Sequence, residues 1–300
     1  MEWKWAKANE KDLAKFVNEK AIELLDKLPI EDRLKLVQNP SGRRKLVKAI
    51  YETLIQKGIR YDFEKYQPEA ETQLIRTPVE ILSTPGEGTC LDIALLFCSL
   101  CFGYGLLPLL IVIKGHALAA VSLKHKREEW EAYAPERSMF NTSELFRENA
   151  NLAVLKKLVE DEAYIAVECT GFAHTQSFSN VEAPEAKERT SDGVLLFDRA
   201  IEAGQEQLNN PNRPFKFAID IAVAQYRWKI QPLEIPNLSK AASKVINAEA
   251  KLRYESFKGG KTTGIDATNA NLEGGANLNA EIETKEMTGG EQTGIKLGSV

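Results

Sequence analysis

Leu13, Phe16, Val17, Ala21, Leu24, Leu25 and Leu28 recur at the spacing of an amphipathic helix. Leu46, Val47, Ile50, Tyr51, Leu54 and Ile55 repeat the pattern after Asn39-Pro40-Ser41-Gly42. Two N-terminal helices are predicted, the second ending at Gly58, followed by a mixed loop with short elements to Pro78. From Ile93 to Ile113 the chain carries no charge for 21 residues, long enough on hydropathy alone to cross a bilayer. Gly103, Gly105 and Pro108 break that run, and β-favouring residues follow from Leu109 to Leu123. The pattern therefore predicts a buried helix, a tight turn and a central strand, not a membrane span.

Beyond Lys124 the chain is polar with helical pieces up to Glu162. Ala163 to Cys169 then alternates as a strand, with Ile165 and Val167 on one face and Glu168 on the other. Asp198 is expected to cap a helix through Leu208, and Phe215, Phe217, Ile219, Ile221 and Val223 read as a further strand. Two prolines between Gln231 and Ser239 suggest a linker, with a helix expected from about Lys240 to Phe257. Gly259 to Val300 is rich in Gly, Asn, Thr and Ala, contains no aromatic residue, and is expected to be disordered or conditionally ordered. Thr263-Gly264-Ile265-Asp266 and Thr293-Gly294-Ile295-Lys296 hint at a repeat within it, and Leu272, Leu278 and Ile282 could edge a small β structure. The expected organisation is a helical extension over 1–44, a compact domain over 45–230, a linker and helix over 231–258, and a tail over 259–300.

The 300 residues are 43% hydrophobic, enough for a sizeable core. A net charge of -4 supplies no basic field for nucleic acid or an anionic membrane. Four cysteines, three of them at Cys90, Cys98 and Cys101, lack the spacing of a disulfide scaffold, which favours a reducing, cytoplasmic setting. Met1 to Glu10 has no apolar core or cleavage site, so no export signal is read there.

The candidate chemistry centres on Thr89-Cys90-Leu91-Asp92, which follows the turn Pro85-Gly86-Glu87-Gly88 and opens the apolar helix. Thr89 can cap that helix and Asp92 suits its first turn, so Cys90 sits at the positive end of the helix dipole beside uncommitted backbone N–H groups. A cysteine nucleophile needs a base, a group that orients the base, and donors for the oxyanion of the tetrahedral intermediate. His116, beside Gly115 in the strand-like run, is the candidate base, and Glu168 the orienting acid. Gln73 and the backbone N–H of Cys90 are candidate oxyanion donors.

Other conspicuous residues have plainer readings. Cys98 and Cys101 lie among Leu95, Leu96, Phe97, Leu100 and Phe102 and are expected to be buried thiols, not metal ligands. His125, within Lys124-His125-Lys126-Arg127, is expected in an exposed turn, and Arg76 in a salt bridge near the active-site loop. Trp3 and Trp5 would dock the first helix. His174 could line the cleft rim or act as an alternative imidazole. No metal-ligand cluster and no glycine-rich nucleotide loop is present, so neither metal nor cofactor is expected.

Taken in order, Gln73-Leu74-Ile75-Arg76-Thr77-Pro78 with Glu80, Gly88-Thr89-Cys90-Leu91-Asp92, Gly115-His116-Ala117 and Val167-Glu168-Cys169-Thr170 resemble the transglutaminase-like cysteine protease superfamily, in its bacterial form. The resemblance covers roughly residues 45 to 172. It implies an α+β, papain-like core in which the cysteine heads a helix packed on an antiparallel sheet, with the histidine and acid on adjacent strands. It also implies acyl transfer through a Cys90-His116-Glu168 triad on a protein or peptide substrate: a peptidase, an amidase or an amine-transferring enzyme. The usual acid of that superfamily is aspartate, whereas this chain has Glu168. An alternative on the same fold is a catalytically silent interaction module whose tail recruits a protein partner. On the enzymatic reading, Cys90→Ala or His116→Ala is expected to abolish turnover with stability nearly unchanged.

Overall fold

A computed structural model describes residues 1–5, 10–25, 28–30, 32–62, 72–83, 86–131, 149–175 and 189–235, together with six short strands between 250 and 293. Contact clustering divides the chain into a unit over Met1–Ile235 and a second over Pro236–Val300.

The first unit opens with β1 (Glu2–Lys4), two 3-10 turns at Glu10–Phe16 and Glu19–Leu24, and α1 (Arg33–Leu36). The spacing from Leu13 to Leu28 thus folds as 3-10 segments where a continuous helix was expected. Leu13, Val17, Ala21 and Leu28 are nevertheless buried, as the apolar spacing requires, while Phe16, Leu24 and Leu25 are partly buried. α2 (Pro40–Gln56) is capped by Asn39, which accepts from Gly42 N, and carries proline at its start. The helix ends before Gly58, whose φ is 65°. After β2 (Arg60–Tyr61) and β3 (Thr72–Leu74) come α3 (Pro78–Leu82), β4 (Glu87–Gly88) and α4 (Cys90–Gly103). Residues 1–44 belong to this unit and do not form a separate extension. Trp3 pairs with Gln73 as β1 lies antiparallel to β3, and the Glu19–Leu24 turn packs on α4.

The uncharged run folds as its breaks predict: α4, a turn at Tyr104–Gly105, and β5 (Pro108–Ile113). A two-residue turn, Lys114-Gly115, then returns the chain as β6 (His116–Ser122), with Gly115 at φ 71°. α5 (Asn149–Glu160), β7 (Tyr164–Val167), α6 (Phe197–Asn209) and β8 (Phe215–Asp220) follow. Asp198 lies in the first turn of α6, while Leu196 holds the N-cap position without a side-chain cap. Val223, expected in the last strand, begins a π-helical turn instead.

β7, β6, β5 and β8 form one antiparallel sheet in that order, making the unit a mixed α+β structure. Every residue of β5, β6 and β7 is buried, the pattern of strands covered on both faces. α4 packs against β5 and β6 and is buried from Leu91 to Gly103, as expected of a helix that is apolar all round. Leu155, Val159 and Leu208 of α5 and α6 join Leu109, Ile111, Leu118 and Ala166 in one apolar cluster. No helix among the described residues is long and apolar enough to cross a membrane.

Gly204 sets how closely α6 approaches β7. A Cβ there would stand 2.7 Å from the carbonyl carbon and oxygen of Ala166 and 2.9 Å from Val167 N. Gly204→Ala is therefore expected to destabilise the unit by about 1–3 kcal/mol, the usual cost of overpacking. An unchanged denaturant midpoint would contradict this contact.

The second unit contains β9 (Ala250–Tyr254), β10 (Phe257–Lys258), β11 (Thr262–Thr263), β12 (Ala280–Thr284), β13 (Met287–Thr288) and β14 (Gln292–Thr293). The helix expected from about Lys240 to Phe257 is thus a strand over 250–254; residues 240–249 lie outside the described residues. Strands also occur within the stretch expected to be disordered. Ile282 lies in one of them, whereas Leu272 and Leu278 are outside the described residues.

Candidate active site

Cys90 is the first residue of α4, and its position follows from the local sequence. Thr89 caps the helix in extended backbone, with its Oγ1 accepting from Asp92 N at 3.4 Å. Asp92 Oδ2 accepts in turn from Thr89 N at 3.0 Å, completing a capping box. Asp92 is wholly buried, and Arg76 offsets that cost: Arg76 N donates to Oδ1 and Arg76 Nη1 to Oδ2, each at 2.9 Å. Arg76 also bridges Asp62 and Glu87. The salt bridge expected of Arg76 therefore ties the segment after β3 to the helix that carries the cysteine. Cys90 itself is half-buried, and its backbone N–H makes no hydrogen bond among the described residues. The other three cysteines are fully buried. Burial pushes the thiols of Cys98, Cys101 and Cys169 up, so they are inert beside Cys90.

His116 starts β6, directly after the Gly115 turn. A Cβ at Gly115 would meet nothing within 4 Å, so the chain beside the ring is open as well as sharply turned. Glu168 follows the last residue of β7, whose Val167 pairs with Ala119. One step further along that register, residue 168 falls level with Leu118 and two residues along from His116. Such diagonal neighbours are about 7–8 Å apart at the backbone. The longer arm of glutamate spans this offset, placing Oε2 2.7 Å from His116 Nε2.

Glu168 is fully buried and both of its oxygens are satisfied. Oε1 accepts from Thr170 N at 3.1 Å and from Thr170 Oγ1 at 2.7 Å, while its backbone N–H donates to Ala200 O at 2.9 Å. Burial pushes its carboxyl up, but the charge and hydrogen bond of His116 and the two bonds from Thr170 outweigh this and hold it below its ordinary value. For His116, burial disfavours the charged ring. The Glu168 carboxylate and hydrogen bonds to Cys90 and Glu168 overcome that effect, and the imidazole is pushed up to about 10. Because Nε2 is occupied by Glu168, Nδ1 is the ring nitrogen left for the thiol.

The structure thus brings Cys90, His116 and Glu168 into one hydrogen-bonded chain. Gln73 is not part of it. It is buried on β3, and its Oε1 accepts from Trp5 Nε1 at 3.1 Å, the only side-chain hydrogen bond of Gln73 among the described residues. That bond turns the amide nitrogen away from Trp5, and the nitrogen has no hydrogen-bond partner among the described residues. Trp3 and Trp5, expected to dock a helix, stack edge to face in the segment that flanks Gln73. His174 stands outside this chain, its Nε2 bonded to Ile55 O at 3.1 Å. His125, expected in an exposed turn, is buried.

Sequence reasoning did not single out Tyr61 or assign a role to Thr170. The parallel pairing of β2 with β4 sets Tyr61 opposite Gly88, two residues before the cysteine, and its side chain is hydrogen-bonded to that of Cys90. Burial, reinforced by the neighbouring Cys90 and Glu168, raises the phenol well above its ordinary range, so it stays protonated and donates to sulfur. This pairing joins segments 27 residues apart and has no local sequence signal. Thr170 did have one: a hydroxyl residue two places after an acid at a strand end can return bonds to it. Tyr61→Phe removes one donor to the sulfur and is expected to slow alkylation of Cys90 about tenfold near neutral pH, the effect of one charge-assisted bond. An unchanged rate would show that the phenol does not hold the thiolate.

Groups of three or more His, Cys, Asp or Glu side chains able to hold a metal ion are absent among the described residues. Compared with models of known families, with curated proteins and with solved structures, the chain matches none.

Proposed function

We propose that this protein is a thiol-dependent acyl-transfer enzyme, a cysteine peptidase or amidase of the transglutaminase-like, papain-like class. The observation that carries the reading is the continuous contact from Cys90 through His116 to a buried, fully hydrogen-bonded Glu168. A cysteine heading a helix, packed on an antiparallel sheet whose neighbouring strands bring in the histidine and the acid, supports the class named by the sequence resemblance.

In the proposed reaction the His116 imidazole, held protonated by Glu168, already carries the proton of the Cys90–His116 pair, and Sγ of Cys90 attacks the carbonyl carbon of a peptide or glutamine-type amide. The C=O π pair moves to oxygen, where the Cys90 N–H, at the positive end of α4, donates, with the amide of Gln73 as the second donor that the sequence suggests. As the carbonyl re-forms, the C–N bond breaks and its electron pair takes the proton from His116, so an amine or ammonia leaves and a thioester remains. Water, deprotonated by His116, then releases the acid and the free thiol. Glu168 keeps its charge throughout, orients the ring and stabilises the imidazolium.

The test is direct acylation. Incubation with an activated aryl ester, followed by acid quenching and intact mass measurement, should give one acetyl adduct on the peptide containing Cys90, decaying on return to neutral pH. Cys90→Ala should give none. Acylation spread over several residues, or equal in the variant, would refute the reading.

A further inference from the structure

The second unit consists, in its described residues, of three pairs of parallel strands: β9 with β12, β10 with β13 and β11 with β14. In each pair the partners are thirty residues apart, as with Lys251 and Glu281, Phe257 and Met287, and Thr263 and Thr293. A constant offset across three successive strand pairs describes a coil that winds once per thirty residues and lies on its own next turn. The sequence has the same period. Gly259-Gly260 recurs as Gly289-Gly290, and Thr263-Gly264-Ile265 as Thr293-Gly294-Ile295.

The charges follow a rule. In the strand register Lys251 stands beside Glu281 and Arg253 beside Glu283. At the same spacing, the sequence has Glu255 and Lys285, Lys261 and Glu291, and Asp266 and Lys296. From 250 to 266, wherever both repeats carry a charge, the signs are opposite, while Leu252 and Ile282 keep an apolar match. Parallel strands lie about 4.8 Å apart, where like charges side by side destabilise and opposite charges stabilise. The first repeat is therefore suited to lie on the second, and unsuited to lie on another first repeat.

A two-coil stack has two ends. Each strand of these pairs has a neighbour on one side only among the described residues, leaving a row of backbone N–H and C=O groups on the other. The outer edge of the second coil offers the same residue sequence that already pairs with the first coil on its inner edge. We propose that a second copy of this chain docks there, its first coil adding in the same thirty-residue register to the second coil of the copy before it. The contact is head to tail, so it leaves both edges open and continues into a filament.

The test uses the full chain and two charge-reversed variants. The acidic variant carries Lys251→Glu with Arg253→Glu, and the basic variant carries Glu281→Lys with Glu283→Lys. Sedimentation and electron microscopy should show the native chain assembling into filaments, with each variant alone needing about tenfold or more protein to do so. Combining all four substitutions in one chain should restore assembly, because each coil then again meets a coil of opposite charge both within a chain and between copies, and this rescue separates charge mismatch from misfolding. A native chain that stays monodisperse at every concentration, double variants that assemble as readily as the native chain, or a fourfold variant that fails to assemble would each overturn the proposal. The proposal stands apart from the catalytic reading, since none of these residues belongs to the Cys90 site.

Discussion

His116→Ala is expected to cost about 3 kcal/mol of stability near neutral pH as well as all acyl transfer, because it strips the counter-charge from a carboxylate with no exposure to solvent. This corrects the simpler expectation that the histidine can be removed with stability nearly unchanged. With only the two bonds from Thr170 remaining, Glu168 must either stay charged in a dry site or take up a proton. The sign of the pH dependence follows from the two shifts. His116 is raised from 6.5 to about 10, so its contribution is complete below pH 6.5 and is lost as pH rises through about 10. Glu168 is lowered from 4.5, so its contribution is complete above pH 4.5 and is lost as pH falls through the depressed value. The gap in unfolding free energy between native and His116→Ala protein should therefore be widest between about pH 4.5 and 6.5 and narrow on both sides. Denaturant unfolding from acid pH well below 4.5 to alkaline pH above about 10 checks it, and a gap independent of pH over that span would contradict the ion pair.

Cys90→Ala is the complementary case, with complete loss of acyl-adduct formation and little loss of fold. The side chain is half-buried and lies at the first position of a helix whose start is secured by Thr89, Asp92 and Arg76. Removing sulfur there deletes the nucleophile and leaves the capping box intact, so the change in stability should stay within about 1 kcal/mol. Substrate that still binds but is not turned over would separate chemistry from recognition. Turnover persisting in the alanine variant would remove Cys90 from the reaction.

How much of this was legible beforehand depends on whether the cause was local. The capped start of α4 and the break after Gly103 each rest on a few adjacent residues, and the sequence pattern located them; the Lys114-Gly115 turn, which splits the single strand expected from Leu109 to Leu123 into β5 and β6, was missed. The reach of Glu168 was legible only as a question, because the distance to His116 is set by the offset between β6 and β7. Tyr61 was invisible for the same reason: its place beside Cys90 depends on a parallel pairing between distant segments. The apolar spacing from Leu13 to Leu28 found four buried positions, Leu13, Val17, Ala21 and Leu28, but not the type of helix, since 3-10 and α turns place i and i+3 on nearly the same side. In the tail, composition argued for disorder. The thirty-residue period, visible only in part as the two Thr-Gly-Ile segments, is what sets the parallel register.

The central claim is that His116 activates Cys90. It is tested most directly by the alkylation rate of each cysteine as a function of pH, resolved by peptide mass spectrometry, in the native protein and in Glu168→Gln. The glutamine keeps the size of the side chain but removes the charge that holds the imidazole protonated. In the native protein Cys90 should react rapidly below pH 7 while Cys98, Cys101 and Cys169 stay silent, and in Glu168→Gln that reaction should slow sharply and shift to higher pH. If Cys90 reacts with the same pH profile in both proteins, the imidazole does not activate the thiol, and the account of this site as a catalytic triad is wrong.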